Sequence, residues 1–342
     1  MTVHPVNFLQ IGLLTLTLFG LVLIWRQREY RMLQVLLGLV TVSMLFNLFE
    51  EVGNFRQYYL VTPIFLLGVG PAIYLTIRQL TGTGPTLASA GHFLPMLMAL
   101  PFTQYTQWVI AAGTLSRVLY ALLSVRLILR FHQQLQARRS DAEDLSLNWL
   151  AWLIGAFTLL GLLDLLRLNL QPYISMQTNL LGQTAGTTIT LLLFAILIYQ
   201  AVQYISQVQF LHSEPPVELA PESASSADTE AYQVIFQSLG EQLASQHWYR
   251  QPRLSLSQLS QLSGLQTRDI SRAVNICTGL NFNDYINGLR IEEVRQAIAA
   301  NPQQNLLTLA LQAGFNAKSS FNTAFKKHLG ITPSQYKTSL KS

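Results

Sequence analysis

The sequence predicts an all-α chain in two parts, a polytopic bundle of about seven transmembrane helices followed by a soluble, basic helical domain. Three observations predict it. Half of the 342 residues are hydrophobic and only 11% are charged, and the mean hydropathy is +0.30, a composition typical of membrane proteins. All five lysines (Lys318, Lys326, Lys327, Lys337 and Lys341) lie in the last quarter, and from residue 233 onward eleven Lys and Arg face five Asp and Glu, a net charge of +6. Long apolar runs fill the first 203 residues, and from Ala231 apolar residues recur at helical spacing.

Residues 6–25 carry no charge and suffice to cross a hydrocarbon core of roughly 30 Å. No basic region precedes this run and no small-residue cleavage site follows it, so it reads as a retained span rather than a signal peptide. Further spans are predicted at about 32–49, 58–77, 92–106, 108–129, 148–168 and 180–203, the fourth short and interrupted by Pro95 and Pro101. Arg26, Arg28 and Arg31 flank the first connection, Arg78 the third, and Arg126, Arg130, Arg138 and Arg139 the fifth; the alternate connections carry only Arg56 and Arg167. This bias places the N-terminus outside and the C-terminal domain in the cytoplasm, and it requires the fourth span to cross. Trp25, Trp108, Trp149 and Trp152 lie near span ends as interfacial anchors, and Glu50 and Glu51, just beyond the second span, read as solvated. Arg117 and Asp164 fall inside apolar sequence, where a charge ordinarily faces a partner or a cavity. They are expected to meet in the bundle near a ligand or switch, a structural pair or an interfacial position being the alternative.

The membrane part is taken as residues 1–205. Residues 206–230, rich in Ser, Pro, Ala and Glu, form an expected disordered linker. In the C-terminal domain, 231–342, Ile235, Phe236, Leu239 and Leu243 mark a first helical face. Ser255 with Gln258 forms a capping box that opens a helix ended by Gly264. A second helix follows at about 267–278, with Ile270 and Val274 inward and Arg268, Ser271, Arg272 and Asn275 outward. Asn281 caps a long helix to about Ala299. Asn305 caps the next, which Gly314 stops; a further helix runs from about Ser319 to Leu329 before Gly330, and Thr332-Pro333 opens the last. In that further helix Phe321, Ala324, Phe325 and Leu329 face inward, leaving Ser320, Asn322, Thr323, Lys326 and Lys327 outward. Short polar side chains followed by two lysines suit a helix laid in a DNA major groove, and an ordinary solvated helix with basic residues at its C-terminus has the same spacing.

The lone Cys277 excludes an intrachain disulfide and a cysteine zinc site. The spans hold no clustered His, Asp and Glu, and no glycine loop is built to cradle phosphate, so neither an enzyme nor a cofactor or metal is expected. A transporter with a cytoplasmic regulatory domain, and a helix-turn-helix domain used only for protein contact, are the rival classes.

Gly314-Phe315, Ser319, Phe321, Phe325-Lys326-Lys327, Gly330, Thr332-Pro333 and Tyr336-Lys337 resemble the AraC/XylS signature of transcription regulators. Leu256, Leu259, Gly264, Ile270, Ser271-Arg272, Gly279, Phe282, Tyr285 and Arg290 extend the likeness over about 254–338, with Gln266 and Val274 departing from it. The resemblance implies two helix-turn-helix units, about 255–278 and 305–329, joined by a strut of about 18 residues and about 27 Å. Two recognition helices on such a strut can enter successive major grooves. It also implies base contacts at Arg268, Ser271, Arg272, Lys318, Ser319, Ser320 and Thr323. Phosphate contacts are expected at Asn275, Asn322, Lys326 and Lys327. The implied partners are double-stranded DNA and a bacterial inner-membrane bilayer, with RNA polymerase and a second copy of the chain as further partners such a regulator admits. The membrane half resembles, more loosely, seven-span sensory modules; its signal, small-molecule or membrane-derived, carries no motif.

Overall fold

The structure, a computed structural model, describes residues 5–27, 30–53, 60–82, 84, 86–208 and 226–340, with backbone alone for 205–208 and 226–229. Arg28, Arg56 and residues 209–225 of the expected 206–230 linker lie outside the described residues, while both of its ends, 206–208 and 226–230, are helical and not disordered as expected. The chain divides into two compact units, Met1–Arg130 with Leu147–Gln207, and Phe131–Ser146 with Val208–Ser342. No β-strand occurs among the described residues.

The first unit contains α1 (Pro5–Ile24), α2 (Arg31–Val52), α3 (Phe65–Leu80), α4 (Leu94–Met98), α6 (Asn148–Leu170), α7 (Met176–Val208) and most of α5 (Thr106–Arg138). Among the described residues, six stretches are long and apolar enough to cross a membrane: Pro5–Ile24, Arg31–Val52, Thr62–Leu80, Leu100–Arg138, Asn148–Tyr173 and Met176–Tyr204. Most of them carry apolar residues on buried and exposed faces alike. Leu13, Leu36, Leu37 and Leu75 are buried, while Phe8, Phe19, Leu115, Leu162 and Trp152 stand exposed. Such exposed surface suits lipid and would be a liability in water.

The fourth expected span is not one helix. It is a 3-10 segment at Leu87–Phe93, the five-residue α4 and a second 3-10 segment at Leu100–Tyr105. Pro95 and Pro101 each stand at the first turn of a new segment, where the missing N–H is tolerated, and neither can continue the preceding ladder. The count of seven continuous spans is therefore corrected to six long helices and a segmented stretch. Glu50 is also not solvated: it is buried, and its carboxylate accepts hydrogen bonds from the backbone N–H groups of Val61 and Thr62, at 2.5 and 2.9 Å, and from the Thr62 hydroxyl.

Arg117 and Asp164 do not pair directly. Asp164 is bound by Arg167 one turn along α6, at 2.8 Å, on a half-exposed face. Arg117 is directed at a different level of α6, where its Nη1 lies 3.5 Å from the Phe157 carbonyl and a Cβ on Gly161 would sit 2.1 Å from it. The void beside Arg117, lined by Gly70, Ile73, Ala121, Ile154, Phe157 and Thr158, is about 10 Å³, room for a single water.

In the second unit the chain forms α8 (Ser226–Gln246), α9 (Leu256–Ser263), α10 (Thr267–Thr278), α11 (Phe282–Ala300), α12 (Leu306–Gln312), α13 (Lys318–Leu329) and α14 (Pro333–Ser339). Local chemistry sets most boundaries. Ser255 and Gln258 exchange side chain and backbone bonds at 3.2 and 3.0 Å; Asn281, Asn305 and Thr332 each accept from the first turn they open. Gly264, Gly279 and Gly330 close α9, α10 and α13 in the left-handed conformation. Two apolar cores result. Leu239, Leu254, Leu256, Leu259, Ile270, Val274, Phe282 and Ile286 make the first, and Ile291, Val294, Ile298, Leu309, Phe315, Phe321 and Phe325 the second. The helix α11 belongs to both, so its two ends fix α10 and α13 relative to each other.

Candidate nucleic-acid interface

Between the two cores sits Arg290, 1% exposed on α11. Its Nε donates to the Tyr249 carbonyl at 2.7 Å, Nη2 to the Gln251 carbonyl at 2.8 Å and Nη1 to Asn287 Oδ1 at 3.1 Å, and the guanidinium lies over the Phe315 ring at 5.6 Å. Burial lowers its pKa to about 10, with Asp141 and Asp144 opposing. Arg290 thus ties the chain before α9 and the turn before α13 to one strut.

That strut presents two polar helix faces. On α10, Ile270, Ala273 and Val274 turn inward, leaving Arg268 and Asn275 exposed and Ser271 half-buried. Arg272 is half-buried too: its guanidinium stacks on the Tyr232 ring of α8 at 5.8 Å, and Nη1 lies 3.3 Å from the Tyr232 hydroxyl. On α13, Phe321, Ala324 and Phe325 are buried, leaving Lys318, Ser319, Asn322, Thr323, Lys326 and Lys327 exposed; Leu329, expected inward, is exposed at the last turn of the helix.

Ser320 departs from the expected outward face. It is 8% exposed, its Oγ donates to the Ala317 carbonyl at 2.9 Å, and with Asn316 it faces the carboxyl of Asp144. Its position beside buried Phe321 and Ala324 puts it on the flank of the helix rather than its crest. Lys327 reaches its outward position but is held there by Asp284 of α11 at 2.6 Å. The structure therefore brings Lys318, Ser319, Asn322, Thr323 and Lys326 together on one open face, with Arg268 and Asn275 open on α10. Arg272, Ser320 and Lys327 carry intramolecular partners.

Three participants went unassigned in the sequence reading: Tyr232, the anchoring role of Arg290, and the acidic stretch Asp141–Asp144. Only Arg290 left a signal, as a charge on the inward side of α11 among Ile286, Ile291 and Val294.

Comparison with known proteins bears on residues 259–339, which match the helix-turn-helix domain family. Residues 259–339 form an AraC-type helix-turn-helix domain. The chain is 38% identical over 58 residues to the melibiose operon regulatory protein of Escherichia coli K12, covering 17% of this chain and 19% of that one. It is 33% identical over 87 residues to the HTH-type transcriptional activator AarP of Providencia stuartii, covering 25% and 64%. An uncharacterized HTH-type transcriptional regulator of Staphylococcus aureus COL is 32% identical over 84 residues, 25% and 11% of the two chains. The chain thus spans about a fifth of the melibiose regulator and under two thirds of AarP. No solved structure matches.

Proposed function

We propose that this protein is a membrane-anchored, sequence-specific DNA-binding transcription regulator whose apolar helical unit receives a signal and controls the AraC-type domain. The observation that carries the reading is the pair of polar helix faces held on one buried strut. At 19 residues α11 is about 28 Å long, which suits two recognition helices in successive major grooves. Arg268, Ser271, Arg272, Lys318, Ser319, Ser320 and Thr323 are assigned to bases, and Asn275, Asn322, Lys326 and Lys327 to phosphates. Arg272, Ser320 and Lys327 reach DNA once their internal partners let go.

The six long apolar helices support residence in the bacterial inner membrane. The stretch after α5 belongs to the same compact unit as the AraC-type domain. Only α6 and α7 separate the two along the chain. An even number of crossings leaves both on one side, and the arginines at the end of α5 mark that side as cytoplasmic. The N-terminus then lies outside if Leu87–Tyr105 crosses. Arg117 remains the residue assigned to signal reception, with Asp164 acting at longer range. RNA polymerase and a second copy of the chain are the partners assigned to the regulator.

Genome-wide crosslinking of the full-length protein beside an Arg268→Ala/Thr323→Ala variant tests the reading. Discrete peaks sharing one motif and lost in the variant are expected. A protein that sits intact in the membrane and gives the same diffuse signal in both forms refutes sequence-specific regulation.

A further inference from the structure

Residues 139–147 join the end of α5 to the start of α6, yet 139–146 are packed into the unit that holds the AraC-type domain. Ser140 N–H donates to the Leu254 carbonyl at 3.0 Å, and Arg139 forms an antiparallel bridge with Ser255. Two buried amides of the strut point at this segment: Asn283 Nδ2 donates to the Arg139 carbonyl at 3.0 Å and Asn287 Nδ2 to the Ser140 carbonyl at 3.1 Å. The Arg139 guanidinium closes on Asp141 at 2.8 Å and donates to the Arg253 carbonyl at 3.3 Å. The segment is a strap, docked along α11 by backbone and amide bonds.

Its far end meets the second recognition helix. Asp144 faces Asn316 and the buried Ser320, and Glu143 lies in the field of Lys327. From Arg139 to Ser146 the strap carries one positive and three negative side chains, a net charge of −2. The amino end of a recognition helix and its flanking lysines are where DNA phosphates are ordinarily held. A carboxylate there is a like charge to the phosphate, and it hides a residue assigned to DNA.

The docked state is also incompletely satisfied. Among the described residues, Ser140 Oγ and Glu143 Oε2 are buried without a hydrogen-bond partner. Arg253, whose carbonyl takes the Arg139 guanidinium, is held at φ +59°, a left-handed conformation uncommon outside glycine. A contact with these defects is poised to open.

We propose that the Arg139–Ser146 strap is an autoinhibitory clasp, docked on α11 and the amino end of α13, which competes with DNA and is withdrawn when α5 and α6 change their relation. It rests on the DNA-binding reading and adds the route by which the membrane unit acts on the domain. DNA binding and strap docking are reciprocal: each weakens the other by the same factor.

The test uses the full-length protein in lipid nanodiscs with a random-sequence 40-base-pair duplex. Hydrogen exchange is followed over 139–147, and affinity is measured for wild type, Ser140→Pro and Asn283→Ala/Asn287→Ala. Ser140→Pro removes the N–H that holds the strap and changes neither charge nor the domain; the double variant removes the two amide donors. Faster exchange over 139–147 on adding duplex is expected, with about tenfold tighter binding by Ser140→Pro. Undiminished strap protection in the DNA-bound protein, or equal or weaker binding by Ser140→Pro, overturns the clasp alone. If no form binds duplex at low salt, the DNA-binding reading falls and takes the clasp with it. Should the double variant fail to fold, the Ser140→Pro affinity and the wild-type exchange still decide.

Discussion

Gly314→Ala should destabilise the AraC-type domain far more than Gly330→Ala, although both glycines close helices at positive φ. Gly314 lies at φ +99° in the turn between α12 and α13, and a Cβ there would stand 2.7 Å from the Arg250 carbonyl oxygen and 2.8 Å from its carbon. That backbone cannot retreat. Arg290 holds the carbonyls on either side, Tyr249 and Gln251, and Arg250 itself is paired with Glu293 at 2.9 Å. Gly330, at φ +75°, has open space where its Cβ would go. A left-handed L-residue costs about 1–2 kcal/mol, which both variants incur, and overpacking against a fixed neighbour adds about 1–3 kcal/mol to Gly314→Ala alone. A gap of about 2 kcal/mol is roughly 10 °C in melting temperature for a domain of this size. The assay is thermal unfolding followed by Trp248 fluorescence in a chain whose other four tryptophans are replaced by phenylalanine. Equal losses in the two variants, within about 3 °C, would show that the 249–251 segment yields and that Arg290 does not clamp it.

Arg290→Ala should cost about 3–5 kcal/mol by the same assay, because it empties the buried site of the guanidinium and takes the donor from the Tyr249 and Gln251 carbonyls; a loss under about 1 kcal/mol contradicts the anchoring role. Glu143 has its carboxyl pushed up to about 7 by burial, Lys327 opposing and Asp144 and Asp284 adding to the rise. A group whose pKa is raised on docking favours the docked strap when protonated. Strap stability should therefore fall as pH climbs from the ordinary carboxyl range to about 7 and stay flat above it, by on the order of 1–2 kcal/mol once partial exposure is discounted. Glu143→Gln should keep the strap docked at pH 8 and weaken duplex binding there, despite removing a negative charge beside the DNA; tighter binding refutes the docking contribution. Lys326→Ala, on the open face of α13, should lower the slope of log affinity against log salt by about 1 and weaken all duplexes alike. A variant that loses affinity only for particular sequences would move Lys326 from phosphate to base contact.

Much of the architecture was legible because its causes are local. Apolar runs long enough for a bilayer, the Ser255–Gln258 capping box, the Asn281 and Asn305 caps and the glycine stops each act within a few residues, and the helices of the AraC-type domain fall within a residue or two of those signals. Pro95 and Pro101 likewise marked the stretch that does not form one helix. The inward positions Ile270, Phe321 and Phe325 follow from helical period alone. Where period was the only guide it failed at the margin: Ser320 counted as outward by spacing, but it lies on a flank that another part of the chain can cover.

What the tertiary structure alone decided are the partnerships of polar and charged side chains. Asp164 chose Arg167 over Arg117, Lys327 took Asp284, Arg272 settled on Tyr232, and Glu50 turned inward to cap the start of the next element. Asn283 and Asn287 bond to carbonyls 144 and 147 positions away. Hydrophobic burial writes a period into the sequence, because every residue on one face shares one environment. A hydrogen bond or ion pair between distant segments leaves no period, so the acidic strap and its seat on α11 become visible only when the chain has folded and brought them within three ångströms.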